Sequence, residues 1–298
     1  MKFPITLSSI KVKCSELKVK QYKEILKSIY GDEPSTLLFA DTLLYIFSDL
    51  LNLDKDYLQA NLTVHDLFLL LLEVRTHSLG NTSSIVIERD SKKMTVDLNL
   101  DNIKVDLEKI NPLKFETSVS FNDTTINLKP PTLEKILTSS EVEDEYLSII
   151  DNLENRGSII KINTSEQAKH LFNVLPPKIS LQIIDFYRQY IEANANINFL
   201  ERYRIVDQKL NFIPTLETVI WFAKLFFNES LSSLYDNIFY LSIKGKMSAE
   251  YIEQCNPGEY IYFVKKLEEW LSQQNKQNGD PQGEGVMDGD IDPNNSFD

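Results

Sequence analysis

Apolar and polar residues repeat with two different periods along the chain, and the periods predict where helices and strands lie. Leu17–Tyr30 and Ser35–Leu51 have apolar residues at three- and four-residue spacing, which predicts two amphipathic helices. Thr63-Val-His-Asp66 has the pattern of a capping box and begins a third predicted helix, Val64–His77. Phe3–Lys13, ahead of these helices, alternates loosely and predicts a strand.

A period of two takes over after the third helix and predicts two β-hairpins. The first joins Ile85–Ile87 to Met94–Leu98 through a polar turn at Asp90–Lys93. The second has Asn122-Asp123 as its turn, between Val119/Phe121 and Ile126/Leu128. This part of the chain is therefore predicted to form a small antiparallel β region.

Pro130-Pro131 is predicted to separate two domains, because helical spacing returns after it and continues from Thr132 onward. The predicted helices include Ile179–Ala193, Leu216–Phe227 and Pro257–Gln274. The expected fold class is α+β and predominantly α-helical. Residues 1–131 form an N-terminal α+β domain with a small antiparallel β region, 132–274 a C-terminal helical bundle, and 275–298 an acidic disordered tail.

The acidic net charge of the chain argues against several classes of partner. The 298 residues include 31 Lys and Arg against 44 Asp and Glu, a formal charge of −13. This balance argues against nucleic acid bound without sequence preference and against anionic membranes, since both attract cationic proteins. Gln277–Asp298 carries six of the acids and no Lys or Arg. We expect this tail to dock on a basic partner surface and to fold on binding.

No apolar run approaches the roughly 18 residues that a membrane-crossing helix needs. The N-terminal residues lack an apolar core of signal-peptide length. Cys14 and Cys255 are the two cysteines, and nothing in their surroundings suggests a disulfide framework. We therefore expect a protein made in the cytosol.

A search for catalytic and metal-binding patterns finds none, so no enzyme activity, cofactor or metal is predicted. His65 and His77 lie on one predicted helix about 120° apart and do not share a face. Cys14, in a lysine-rich stretch, leaves open a thiol with a lowered pKa. Lys244–Met247 is predicted to be a turn between helices. Asp288-x-Asp290-x-Asp292 resembles half a calcium loop, but it lacks the turn glycine and the final glutamate.

Aromatic residues in the C-terminal half cover more than one face of two predicted helices. Such helices are either deeply buried or held against another protein, and both interpretations stay open. The residues predicted to bind a partner on this ground are Trp221, Phe226, Phe227, Tyr260 and Phe263.

Four segments resemble a known family in their order along the chain. They are Leu17–Leu26, Asp66–Arg75 closing with Ser78 and Gly80, Val96–Val105, and Ile126–Thr132. Together they resemble the T-even phage baseplate protein family, described as baseplate hub subunits or hub assembly factors of contractile-tailed phages. The likeness covers about residues 1–200.

The resemblance implies a non-enzymatic protein that binds other phage tail and baseplate hub proteins, with its oligomeric state left open. It implies a place in the host cytoplasm during assembly and in the virion tail baseplate. It also marks Arg75, Ser78 and Gly80 as partner-binding residues, although Gly80 can instead be a helix C-cap and Arg75 a surface ion pair. The alternative functions are a general tail-assembly chaperone absent from the mature virion, and a host/phage adaptor protein.

Overall fold

The computed structural model describes residues 2–8, 10–31, 35–89, 92–109, 115–138, 142–196, 198–203 and 210–277. The fold is α+β with small antiparallel sheets, and 62% of the described residues lie in helices, which confirms the expected class. In the first half, the described elements are β1 (Lys2–Thr6), β2 (Lys11–Ser15), α1 (Val19–Tyr30), α2 (Thr36–Leu51), α3 (Lys55–Asn61), α4 (Val64–Leu79), β3 (Thr82–Arg89), β4 (Lys92–Asn99), α5 (Leu100–Glu108), β5 (Thr117–Phe121) and β6 (Thr124–Leu128).

The second half contains both helices and strands. Its described elements are α6 (Leu133–Thr138), a 3-10 segment (Val142–Ile149), β7 (Ile150–Asn155), β8 (Ser158–Lys161), α7 (Ser165–Val174), α8 (Pro177–Ala195), a 3-10 turn (Glu201–Tyr203), α9 (Leu216–Phe226), α10 (Leu231–Ile243), α11 (Ala249–Gln254) and α12 (Pro257–Gln277).

The N-terminal segment is a hairpin, so the prediction of one strand over Phe3–Lys13 was wrong. β1 pairs antiparallel with β2, and the Leu7 amide donates to the Ile10 carbonyl oxygen at the turn, 2.9 Å away. Ser8 donates from both its amide and its hydroxyl to Asp66 Oδ1, at 2.8 Å each. Asp66 therefore caps α4 and also anchors the hairpin turn to it.

The three helices predicted in the N-terminal part are confirmed as α1, α2 and α4, with ends that differ by at most two residues. The Ser35 hydroxyl accepts from the Leu38 amide at the start of α2. Thr63 and Asp66 form the reciprocal capping box of α4, and Thr164 with Gln167 forms that of α7. α3 was not predicted, because seven residues are too few to show a helical period.

The prediction of helices alone after Thr132 was wrong, because β7 and β8 extend the second predicted hairpin into a four-stranded sheet of order β5-β6-β7-β8. Asn122 has φ = 50° in the predicted turn between β5 and β6. Arg156 and Gly157 have φ of 49° and 83°, and this left-handed pair connects β7 directly to β8. Arginine is uncommon in that conformation, which hid the turn in the sequence.

The buried apolar side chains form two clusters. The larger takes residues from β1 through α5 and also from α9 through α12, so the C-terminal helices pack on the N-terminal half. At its centre the Phe68 ring lies 4.5 Å from Phe212 and 4.7 Å from Phe222, measured between ring centroids. The smaller cluster lies between the four-stranded sheet, α7 and α8. The division at Pro130-Pro131 stays a prediction, and residues 278–298 of the predicted tail lie outside the described residues.

The length and hydropathy of the described helices bear on whether any of them could span a membrane. No single helix among them is both long and apolar enough to cross a bilayer. Thr36–Leu51 and Lys55–Asn61 meet the length and hydropathy requirement only as a pair, and the pair is bent by 110°.

Lys135 is buried where α6 meets the sheet, and its ammonium group donates a hydrogen bond to the Ile150 carbonyl oxygen. Burial lowers the pKa of Lys135 to about 8, with Lys129 adding to the effect and Asp151 opposing it. The folded protein therefore releases this proton more easily than the unfolded chain.

We expect this burial to make stability depend on pH. Between about pH 8 and 10.5 the unfolded chain binds more protons at Lys135, so the free energy of unfolding rises with pH in that window. The rise from this group is at most about 3 kcal/mol, and Lys135→Met should remove it. Urea denaturation at several pH values measures it, with the exposed Lys178→Met as the matched control. Identical slopes for the Lys135→Met protein and the unsubstituted protein would contradict the assignment.

Candidate interaction surface

Arg75 lies at the C-terminal end of α4, and its guanidinium group is enclosed by backbone carbonyl oxygens. Nε donates to Phe226 at 2.6 Å, Nη1 to Gly80 at 2.7 Å and Nη2 to Thr82 at 3.2 Å. The residue is only 8% exposed, and burial lowers its pKa to about 10. Arg75 is therefore no surface ion pair, because it joins the end of α9 and the start of β3 to α4.

Ser78 and Gly80 complete the same junction. The buried Ser78 hydroxyl accepts a hydrogen bond from the Leu17 amide at 2.9 Å, just before α1 begins. Gly80 has φ = 94°, and its amide donates to the Thr76 carbonyl oxygen, which makes it the helix C-cap. A Cβ atom on Gly258 would lie 3.1 Å from the Ser78 carbonyl oxygen, so α12 also begins close to this point.

Most of the aromatic residues predicted to bind a partner lie inside the chain. Phe226, Phe227 and Tyr260 are almost fully buried in the larger cluster, and Phe263 is partly buried against it. Trp221 lies on the outer side of α9 with 45% of its surface exposed. The structure thus brings Arg75 and Phe226 into direct contact, but it leaves Trp221 as the one predicted aromatic residue that is well exposed.

Tyr260 takes part in a buried polar cluster between α12 and α10. Its hydroxyl donates to Glu229 Oε1 at 3.0 Å. Burial raises the pKa of Glu229, while hydrogen bonds from Tyr260, Tyr22 and Asn237 oppose the shift. This cluster fixes the first turns of α12 against the middle of α10.

α10 carries an apolar face that no described residue covers. Its buried side chains are Leu234 and Leu241. The opposite side exposes Tyr235, Phe239, Tyr240 and Ile243 by 44%, 60%, 38% and 55%. Tyr235, Phe239 and Ile243 are four residues apart and lie on one side of the helix. We call these four residues the α10 stripe.

The composition of α10 resembles the core of an interface. Asp236 is the only charged residue from Leu231 to Ile243. Interface cores are depleted in charged residues and enriched in aromatic ones, whereas an ordinary exposed helix face is polar. The aromatic residues of this region could be recognised from the sequence but the stripe could not, and the near absence of charged residues in α10 was the signal for it.

The end of α10 places two lysines beside the stripe. A Cβ atom on Gly245 would lie 2.6 Å from the Leu241 carbonyl oxygen, so the chain needs glycine there. Lys246 follows with φ = 56°, and Lys244 and Lys246 are both exposed. The segment connects α10 to α11, which confirms the predicted turn between helices.

Nucleophilic and metal-binding groups show no catalytic arrangement among the described residues. Burial raises the pKa of Cys14 to about 12, with the Glu73 charge adding to it, so the lowered thiol pKa that the sequence left open does not occur. His77 stacks on Phe3 at 3.6 Å between ring centroids, and burial lowers the pKa of His65. No group of three His, Cys, Asp or Glu side chains is placed to hold a metal in the described part of the chain. The Asp288–Asp292 pattern lies outside it.

Comparison with known proteins gives one family. The family model described as T4 bacteriophage base plate protein matches residues 1–200. No curated protein and no solved structure matches the chain. The match includes Arg75, Ser78 and Gly80, whereas the α10 stripe follows it in the sequence.

We expect Arg75→Met to destabilise the protein strongly. The substitution leaves three carbonyl oxygens without their donor, and a buried unsatisfied group costs roughly 1–3 kcal/mol, so a loss of about 3 kcal/mol or more is expected. Chemical denaturation followed by circular dichroism measures it. Lys20→Met on the exposed side of α1 is the control and should change stability by less than about 0.5 kcal/mol. A similar small change for Arg75→Met would show that the junction is not needed.

Proposed function

The chain belongs to the T4 bacteriophage base plate protein family, and on this premise we propose that it serves the baseplate hub as a subunit or assembly factor. It acts by protein–protein contact and not by catalysis. Its partners are other phage tail proteins, and its place of action is the tail baseplate.

The α10 stripe is the observation that supports contact with a partner. Three aromatic rings and one isoleucine lie on one helix face with about half of their surface exposed. Single exposed apolar residues are common on soluble proteins, but a contiguous apolar patch typically marks a binding site. Tyr235, Phe239 and Tyr240 also have rigid side chains, which lose little conformational entropy when they are ordered at an interface.

The free energy gained by burying the α10 stripe indicates how much of a partner contact it can supply. Complete burial of a large apolar side chain contributes about 1.5–3 kcal/mol, so burying the exposed halves of four such side chains supplies roughly 3–6 kcal/mol. Association costs at least as much in lost translational and rotational freedom. The stripe therefore serves as the central anchor of a larger contact, as expected for a subunit held by several neighbours in an assembly.

Incorporation into particles distinguishes the two forms of the proposed role, a structural subunit and an assembly factor that leaves before the particle is complete. Mass spectrometry of gradient-purified phage particles and of tail-assembly intermediates would count the copies of this chain. We expect a fixed ratio to the hub proteins in mature particles for a subunit, and presence in intermediates alone for an assembly factor. Absence from both would contradict the proposal.

The stripe itself is tested by genetic complementation. In a phage that lacks its own copy of the gene, the variant with Tyr235→Ser and Phe239→Ser should lower baseplate assembly by about tenfold or more, since two anchor residues are lost. Electron microscopy of the particles gives the count.

A matched control comes from β8, where Ile159 and Ile160 are also exposed by more than half. Changing both to Ser removes a similar amount of apolar surface at another place. We expect this variant to assemble baseplates normally. If both variants assemble baseplates equally poorly, or if both assemble them normally, the α10 stripe has no specific role in baseplate assembly.

A further inference from the structure

We propose that the acidic C-terminal segment, residues 278–298, binds the α10 stripe of its own chain and covers it until a baseplate partner displaces it. The contact is a property of the free chain, whereas its displacement by a partner rests on the proposed function. The segment carries six acids and no Lys or Arg. Three observations support residues 278–298 as the segment that covers the α10 stripe.

Charge complementarity is the first. Lys244 and Lys246 are exposed at the C-terminal end of the stripe, and neither forms an ion pair with another residue of the described part of the chain. Lys27, beside Tyr235 at the other end, is engaged by Glu24. Asp236 is exposed on the same side of α10 and opposes this attraction, but two unpaired lysines against one acid still leave this end of the stripe with a net positive charge. On a protein with a net charge of −13, such a surface next to an apolar face favours an acidic segment.

The apolar residues of the segment are the second observation. Val286, Met287 and Ile291 lie within and beside its densest run of acids, Asp288, Asp290 and Asp292. Exposed ion pairs alone contribute little, so a segment with charges only would bind weakly. A segment that combines apolar residues with acids matches a surface that combines aromatic rings with lysines.

Chain length is the third. The Tyr260–Glu229 hydrogen bond and the interaction of Tyr260 with Asn237 place the first turns of α12 beside the middle of α10. Seventeen residues of helix separate Tyr260 from Gln277, a rise of about 26 Å. From Gln277, an extended chain covers about 30 Å to Val286 and about 46 Å to Ile291. These apolar residues can therefore return to the stripe.

A competing site for the same segment lies on the N-terminal hairpin. The register of β1 and β2 puts Lys2, Lys11 and Lys13 on its exposed face. That face offers charge but few apolar side chains, because its other residues are Pro4, Thr6 and Ser15. Binding there would leave Val286, Met287 and Ile291 in water, which makes the stripe the favoured site.

Photo-crosslinking of the full chain tests the contact. The photo-crosslinking amino acid p-benzoylphenylalanine is incorporated in place of Ile291, the dilute protein is irradiated, and crosslinked peptides are identified by mass spectrometry. We expect crosslinks within one chain to residues 231–247. Crosslinks mainly to residues 2–15, crosslinks only between two chains, or no specific crosslink would each overturn the proposal. Incorporation in place of Ile160, on β8, is the control for nonspecific capture.

Two further variants test the chemistry of the contact. Lys244→Glu with Lys246→Glu should reduce the crosslink yield about three- to fivefold, as expected for the loss of two exposed ion pairs. Tyr235→Ser with Phe239→Ser should reduce it further, with circular dichroism confirming that both variants fold. Yields equal to that of the unsubstituted surface would refute the proposal. Because no partner is present, this result is independent of the complementation assay, so each proposal can fail without the other.

Discussion

The buried guanidinium of Arg75 is the interaction on which the described arrangement of helices depends. A charged group out of water must have its donors satisfied, and Arg75 satisfies three of them with carbonyl oxygens of α9 and of the chain leading into β3. The Ser83 hydroxyl adds a bond of 2.7 Å to the Leu225 carbonyl oxygen. The last turn of α9 is thereby fixed to α4, and α10 begins only a few residues later at its cap, Ser230.

Because of this dependence, the residues that carry the family resemblance have a structural role inside the chain. Arg75, Ser78 and Gly80 lie within the matched residues 1–200, and their hydrogen bonds are all inside the chain. Substituting Arg75 would remove the bond that fixes the last turn of α9 and would thereby displace the helices that follow it. The exposed α10 stripe, outside the matched region, has few internal contacts to lose. The residues that carry the family resemblance therefore stabilise the fold, whereas the exposed apolar surface of the stripe lies after the matched region.

The elements that could be predicted from the sequence are those specified by nearby residues. The capping boxes at Thr63 and Thr164 and the Asn122 turn need only three or four residues to form. Three features that depend on distant contacts could not be predicted from the sequence: the burial of Arg75 by α9, the raised pKa of Cys14 on the buried face of the hairpin, and the pairing of β7 with β6. The stripe was hidden because an aromatic residue at helical spacing fits a core equally well.

An apolar stripe on an otherwise acidic protein creates a conflict between solubility and binding. Left uncovered, it favours self-association before the correct partner arrives. A segment that covers the stripe prevents self-association and still allows partner binding only if the segment binds the stripe weakly. The roughly 3–6 kcal/mol that burial of the stripe contributes is offset by an ordering cost of about 1 kcal/mol per fixed residue, so a contact of several residues comes close to balance. A partner that presents a preformed surface pays less of this cost, and it can displace the segment without a separate source of energy.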